Sequence, residues 1–82
     1  MDKQTQALVI TMEECGELTQ ACSKILRRNG DEKSRNDLAD EAGDVYCMLK
    51  LLVDMGYLDW EAMEERAKFK KLKLKSWSQL YD

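Results

Sequence analysis

The sequence predicts an all-α protein, and three observations carry that expectation. Apolar residues recur at helical spacing over two long stretches, proline is absent, and two of the four glycines fall where those stretches end. Of the 82 residues, 44% are hydrophobic and 35% charged, a balance that suits a folded helical protein and argues against disorder. No repeat of solenoid length is visible, so residues 1–82 read as a single domain. A chain this short builds only a marginal core, and a staple, a metal or a partner chain is expected to supplement it.

The first helix is expected from about Asp2 to Arg28. Leu8, Cys15, Leu18, Cys22, Ile25 and Leu26 follow helical spacing, and Lys24, Arg27 and Arg28 suit the negative end of the helix dipole. The stretch "RRNGDEKSRND" has no apolar residue, and its Asn29-Gly30 reads as a helix stop followed by a loop. A second helix is expected from about Asn36 to Met55, where Leu38, Ala42, Val45, Met48, Leu49, Leu52 and Met55 repeat every three or four residues. In "DMGYLDW", Gly56 reads as the residue after the C-cap and Asp59 as the next N-cap. A third helix starts near Trp60, with Trp60, Met63 and Ala67 aligned. Beyond Phe69, "FKKLKLKSW" fits a helix and an extended chain equally well. The first two stripes are long enough to form an antiparallel helical hairpin closed by the glycine-containing loop.

Composition also excludes function classes. No apolar run approaches the ~18 residues of a membrane span and no secretory segment opens the chain, so a cytoplasmic location is expected. Cys15, Cys22 and Cys47 lack CxxC spacing and read as small, reduced core residues. The absence of histidine removes the usual zinc sites, thiol catalysis and the Glu-x-x-His of di-iron bundles. Net charge is −3, yet Arg66–Lys75, "RAKFKKLKLK", holds six bases and no acid. Nucleic-acid domains are usually basic overall, so this run is expected to be solvated or to complement the phosphates of a smaller ligand.

Two acidic motifs run against the packing pattern. "EECGE" (Glu13–Glu17) and "DEAGD" (Asp40–Asp44) each place acids three apart, on one helix face. Glu41 takes the heptad slot between Leu38 and Val45, and Glu17 adjoins Leu18, so both are expected to be partly buried. Glu17 lies about a dozen residues before Gly30 and Glu41 about a dozen after it, at matching heights of an antiparallel hairpin. Gly16 and Gly43, inside the motifs, point to close helix approach or ligand access, because glycine in a helix interior costs about 1 kcal/mol against alanine. Four clustered carboxylates repel one another unless protonated or bound to cations. Oxygen-only ligands favour Mg²⁺, with Mn²⁺ as a substitute, and Mg²⁺ held by carboxylates keeps positions for phosphate oxygens.

"EECGE" followed by "EAGD" resembles the EExxE…ExxD signature of the MazG-like, all-α nucleoside triphosphate pyrophosphohydrolases. "EECGELTQACSK" looks like that family's first motif helix and "LADEAGDVYCMLKLL" like its second, together covering about Glu13 to Leu52. The resemblance implies Mg²⁺-dependent cleavage of a (d)NTP between the α- and β-phosphates, giving a nucleoside monophosphate and pyrophosphate. By position, Glu14, Glu17, Glu41 and Asp44 match the family's metal ligands. Glu13 matches an acid suited to holding the attacking water, and Lys24 matches a lysine often found after the first motif. The family's later pattern is not clearly reproduced, which leaves Lys68, Lys71 and Lys75 as candidate phosphate contacts. Trp77 and Tyr81 are assigned to packing in preference to base stacking. The resemblance further implies a homodimer or homotetramer in which neighbouring helices complete a four-helix-bundle-type core. The alternatives are a non-catalytic helical module that binds a protein or a nucleotide, and a nucleic-acid-binding accessory that uses the basic tail.

Overall fold

A computed structural model describes residues 1–81 and contains three helices: α1 (Lys3–Arg27), α2 (Glu32–Asp54) and α3 (Trp60–Trp77). Each begins at an aspartate whose side chain accepts a backbone N–H three residues on. Asp2 accepts from Thr5 at 2.6 Å, Asp31 from Ser34 at 2.8 Å and Asp59 from Ala62 at 2.9 Å. These bonds satisfy donors that have no partner inside the helix.

The helix ends follow from backbone conformation. Past the α1 cap, Asn29 (φ 53°) and Gly30 (φ 64°) turn left-handed, and the Gly30 N–H donates to the Ile25 carbonyl at 2.9 Å. Past the α2 cap, Gly56 (φ 84°) donates to Val53 and Tyr57 to Leu52, each at 2.9 Å. That pair of bonds is a Schellman ending. α2 begins at Glu32, four residues before the expected start, because Asp31 caps it inside the polar run; only residues 28–31 connect α1 to α2. α3 continues as helix through the lysine-rich stretch to Trp77, where the Ser78 hydroxyl donates to the Leu74 carbonyl at 2.6 Å. Among the described residues there is no strand, and no helix is long and apolar enough to cross a membrane.

α1 and α2 pack along their lengths, while α3 buries no residue. The least exposed positions along α1 include 7, 11, 14, 18, 21 and 25, and along α2 they include 34, 38, 41, 45, 48, 52 and 55. The alternation of four and three is a heptad seam. Ala7, Met48 and Leu52 form the buried cluster, with Met55 and Leu58 against it, and fully buried Ser34 lies near the loop.

Several expectations are corrected. The α1 stripe lies one residue earlier than Leu8, Cys15 and Cys22 indicate, because Ala7 and Ala21 let α2 approach and turn the larger neighbours outward. Cys15, Cys22 and Cys47 are exposed in the single chain and are not core residues. Gly16 and Gly43 do not mark close approach of α1 and α2: a Cβ at either would meet nothing within 4 Å. Trp60, Met63 and Ala67 form no buried stripe; Trp60 meets only the edge of the hairpin, its ring 5.9 Å from that of Tyr46.

Candidate metal centre

The heptad seam carries carboxylates at its middle. Glu14 and Glu41 take inner positions and are half-buried, while Glu17 and Asp44, three residues on, are exposed at its edge. Glu17 is therefore less buried than expected, and Glu14 holds the inner position on α1. One carboxylate oxygen from each of the four lies within 4.8 Å of the others. The antiparallel hairpin creates this convergence, since each helix brings an acid pair three residues apart to the same height.

The electrostatics are unfavourable as they stand. Glu14 Oε2 and Glu41 Oε2 are buried, and no described residue donates a hydrogen bond to either. Burial pushes the Glu14 carboxyl above its ordinary value of 4.5, and the negative charges of Glu17, Asp44 and Glu13 add to the rise. Burial also raises Glu41, followed by its carboxyl–carboxyl contact with Glu17 and the charges of Asp44 and Glu14. Such a group relieves its repulsion by taking up protons or a cation. Four carboxylate donors on two helices are the kind of oxygen-only ligand set that could hold a hard divalent ion such as Mg²⁺ or Mn²⁺.

Beside the carboxylates opens a cleft of about 330 Å³, lined by Glu17, Gln20, Ala21, Lys24, Asp37 and Glu41. Lys24 shares this cleft with Glu17 and Glu41. Glu13 adjoins Glu14 in the chain and is exposed, outside the group of four. Lys68, Lys71 and Lys75 do not line this cleft. Lys68 lies 3.6 Å from Glu65, the Lys71 ammonium sits 5.1 Å from the centre of the Tyr81 ring, and Lys75 belongs to the last turn of α3. Trp77 and Tyr81 are exposed, at 63% and 47%.

The sequence reading passed over two cleft residues, Gln20 and Asp37. Both had a usable signal: Gln20 follows Glu17 by three and Asp37 precedes Glu41 by four, so each shares a helix face with a motif acid. Asp37 also pairs with Lys33 at 3.2 Å, an exposed i,i+4 contact that contributes little to stability. A second groove of about 230 Å³, lined by Lys3, Gln6, Ala7, Ile10, Leu51 and Met55, opens towards the other end of the hairpin and is largely apolar.

No family model matches the chain, and neither a curated protein nor a solved structure matches it significantly. The functional reading therefore rests on the site and on the motif resemblance.

Proposed function

We propose that the protein is a Mg²⁺-dependent nucleoside triphosphate pyrophosphohydrolase that converts a (d)NTP to a (d)NMP and pyrophosphate. The observation that carries the reading is the convergence of Glu14, Glu17, Glu41 and Asp44 within 4.8 Å, two of them with buried oxygens that no described residue satisfies. These four residues are the proposed metal ligands. Mg²⁺ bound there supplies charge neutralisation for phosphate oxygens, with Mn²⁺ able to substitute. Lys24, in the adjoining cleft, offers a positive charge to the phosphates. Glu13 is the proposed base that orients water for attack on the α-phosphorus. Lys68, Lys71 and Lys75 enter as an electrostatic complement to the triphosphate.

The proposed setting is cytoplasmic, and the proposed assembly is a homodimer or homotetramer that supplies the core area the single chain lacks. The MazG-like motif resemblance supports the reaction class, and the carboxylate cluster supports the metal.

A second reading, a non-catalytic module that binds a nucleotide or a protein, is favoured by one observation: the α3 lysines stand apart from the cleft. One panel separates the two. The parent protein is incubated with (d)NTPs and Mg²⁺, and released pyrophosphate is measured against phosphate. Pyrophosphate release from at least one nucleotide is expected. No release from any of them contradicts the enzymatic reading and leaves the binding module.

A further inference from the structure

Charge is divided along the chain. Residues 1–65 hold seven bases against fifteen acids, whereas residues 66–81 hold six bases and no acid. A local basic footprint is what attracts a polyanion, and the average over the chain conceals this one. α3 carries all six bases and buries no residue. At about 100° per residue, Arg66, Phe69, Lys70, Lys73 and Trp77 share one face of α3. Lys68, Lys71 and Lys75, already assigned to the triphosphate, fall on another. The first face therefore has no role in the proposed reaction.

All five residues of that face are exposed, Phe69 at 49% and Trp77 at 63%. The Arg66 guanidinium lies 4.8 Å and the Lys73 ammonium 5.7 Å from the centre of the Phe69 ring, and the Lys70 ammonium lies 5.5 Å from that of Trp77. Among the described residues none of these three cations pairs with an acid. Exposed cation–ring contacts are weak, so an arriving base can take the ring and leave the cation to its phosphate. A helix that lies in a lipid surface needs a broad apolar face. No aliphatic side chain stands among these five residues, and Leu72 and Leu74 fall to either side of them. A single strand of nucleic acid needs what is present, planar rings for its bases and positive charge for its backbone. Phe69 and Trp77 stand about 12 Å apart along the helix axis, with Lys70 and Lys73 between them.

We propose that the face of α3 formed by Arg66, Phe69, Lys70, Lys73 and Trp77 binds single-stranded nucleic acid. Bases stack on Phe69 and Trp77, and the three cations meet the phosphates. Binding there needs neither the carboxylate cluster nor turnover of a nucleotide.

Fluorescence anisotropy of a labelled oligothymidylate of about 16 nucleotides tests this on the intact protein. Without a terminal phosphate, that strand offers the carboxylate cleft no triphosphate. The parent should bind it more tightly than a duplex of equal length, whose bases are covered. Vesicles of phosphatidylserine and phosphatidylcholine should not sediment the protein. Affinity should fall with salt, the logarithmic slope being about −2 for three phosphate contacts on a single strand. Lys70→Gln/Lys73→Gln should reduce that slope to about −0.7. Phe69→Leu keeps an apolar side chain but loses the planar ring, and should weaken binding at least about five-fold at an unchanged slope. These positions are exposed, so helical circular dichroism should persist, and Lys50→Gln on α2 should alter neither affinity nor slope. No binding of the strand at low salt overturns the proposal, and so does a duplex bound as tightly as the strand. Sedimentation with the vesicles, an unchanged slope in Lys70→Gln/Lys73→Gln, or unchanged affinity in Phe69→Leu overturns it as well.

Discussion

Two parts of one seam hold opposite chemistry at equivalent positions. At the end away from the α1–α2 loop, Ala7 and Met48 sit on the inner line with Leu52 and form the buried cluster. Seven residues along each helix towards the loop, the same heptad positions hold Glu14 and Glu41, half-buried and with unsatisfied oxygens. Only four apolar side chains are buried among the described residues, so two inner positions given to carboxylates are a large fraction of what could have been core. The difference teaches that local stability does not account for the acids. The proposed divalent cation would offset the repulsion that they bring.

The largest expected effect lies at the apolar end. Leu52→Ala should destabilise the chain by about 2–5 kcal/mol, since it removes buried methylenes and leaves a cavity. Against the total of roughly 4–12 kcal/mol expected for a domain this size, that is a large share of the stability and should be seen as a lower melting temperature. Glu41→Gln, at the acidic end, should act in the opposite direction: metal-free melting rises, and the response to Mg²⁺ disappears. If both substitutions destabilise the metal-free protein, the contrast between the two parts is wrong.

Next in size is turnover. Asp44→Asn keeps shape and helix position but removes one negative ligand, and metal-assisted stabilisation acts on charge that develops in the transition state. Pyrophosphate release should fall at least about 100-fold while the protein stays folded. Glu65→Gln on α3, which breaks only an exposed 3.6 Å contact with Lys68, should leave turnover unchanged. Equal activity in both variants would remove the chemistry from the carboxylate site.

The contrast should also be visible in pH. The Glu14 and Glu41 carboxyls lie above 4.5 in the folded chain, through burial first and neighbouring acids second. Protonation therefore favours folding: their contribution is complete below 4.5 and is lost as pH rises through the raised folded values. Asp2 has the opposite sign, because the Thr5 N–H holds its carboxyl below 3.8. Its contribution is present above 3.8 and fades as pH falls through the lowered value. Metal-free melting should thus rise on acidification from neutral pH before it declines, and Mg²⁺ should flatten the rise. A melting temperature that only falls from pH 7 downwards would contradict this assignment.

Much of the hairpin was legible in the sequence. Leu38, Val45, Met48, Leu52 and Met55 all lie on the α2 seam, whereas Ala42, read in the same stripe, is exposed and Leu49 falls beside the seam. The α1 seam was harder. Leu8, Cys15 and Cys22 share a seven-residue period with Ala7, Glu14 and Ala21, and period alone does not say which line faces inward. Small alanines that permit helix approach decided it, a packing effect between two helices. The start of α2 was missed for a local reason: Asp31, a single capping residue, lies in a run of polar residues where periodicity is silent. The convergence of the four acids followed from spacing and antiparallel geometry. Where the α3 lysines sit did not, since α3 has no apolar stripe to fix it against the hairpin.

A smaller test concerns Gly16. A Cβ there meets nothing within 4 Å, so Gly16→Ala should stabilise α1 by up to about 1 kcal/mol. For a chain of this length that is a rise of roughly 4–8 °C in melting temperature. A fall would show that another chain approaches the backbone at this position.

The central claim is that the acidic part of the seam is built for a divalent cation, and a calorimetric titration with Mg²⁺ and Mn²⁺ tests it most directly. The parent protein should bind either ion saturably at millimolar concentration or below and melt at a higher temperature when loaded. Glu14→Gln/Glu41→Gln should remain helical, melt higher than the parent without metal, and bind neither ion. No saturable binding by the parent together with an unchanged melting curve, or equal binding by the double variant, would contradict the account.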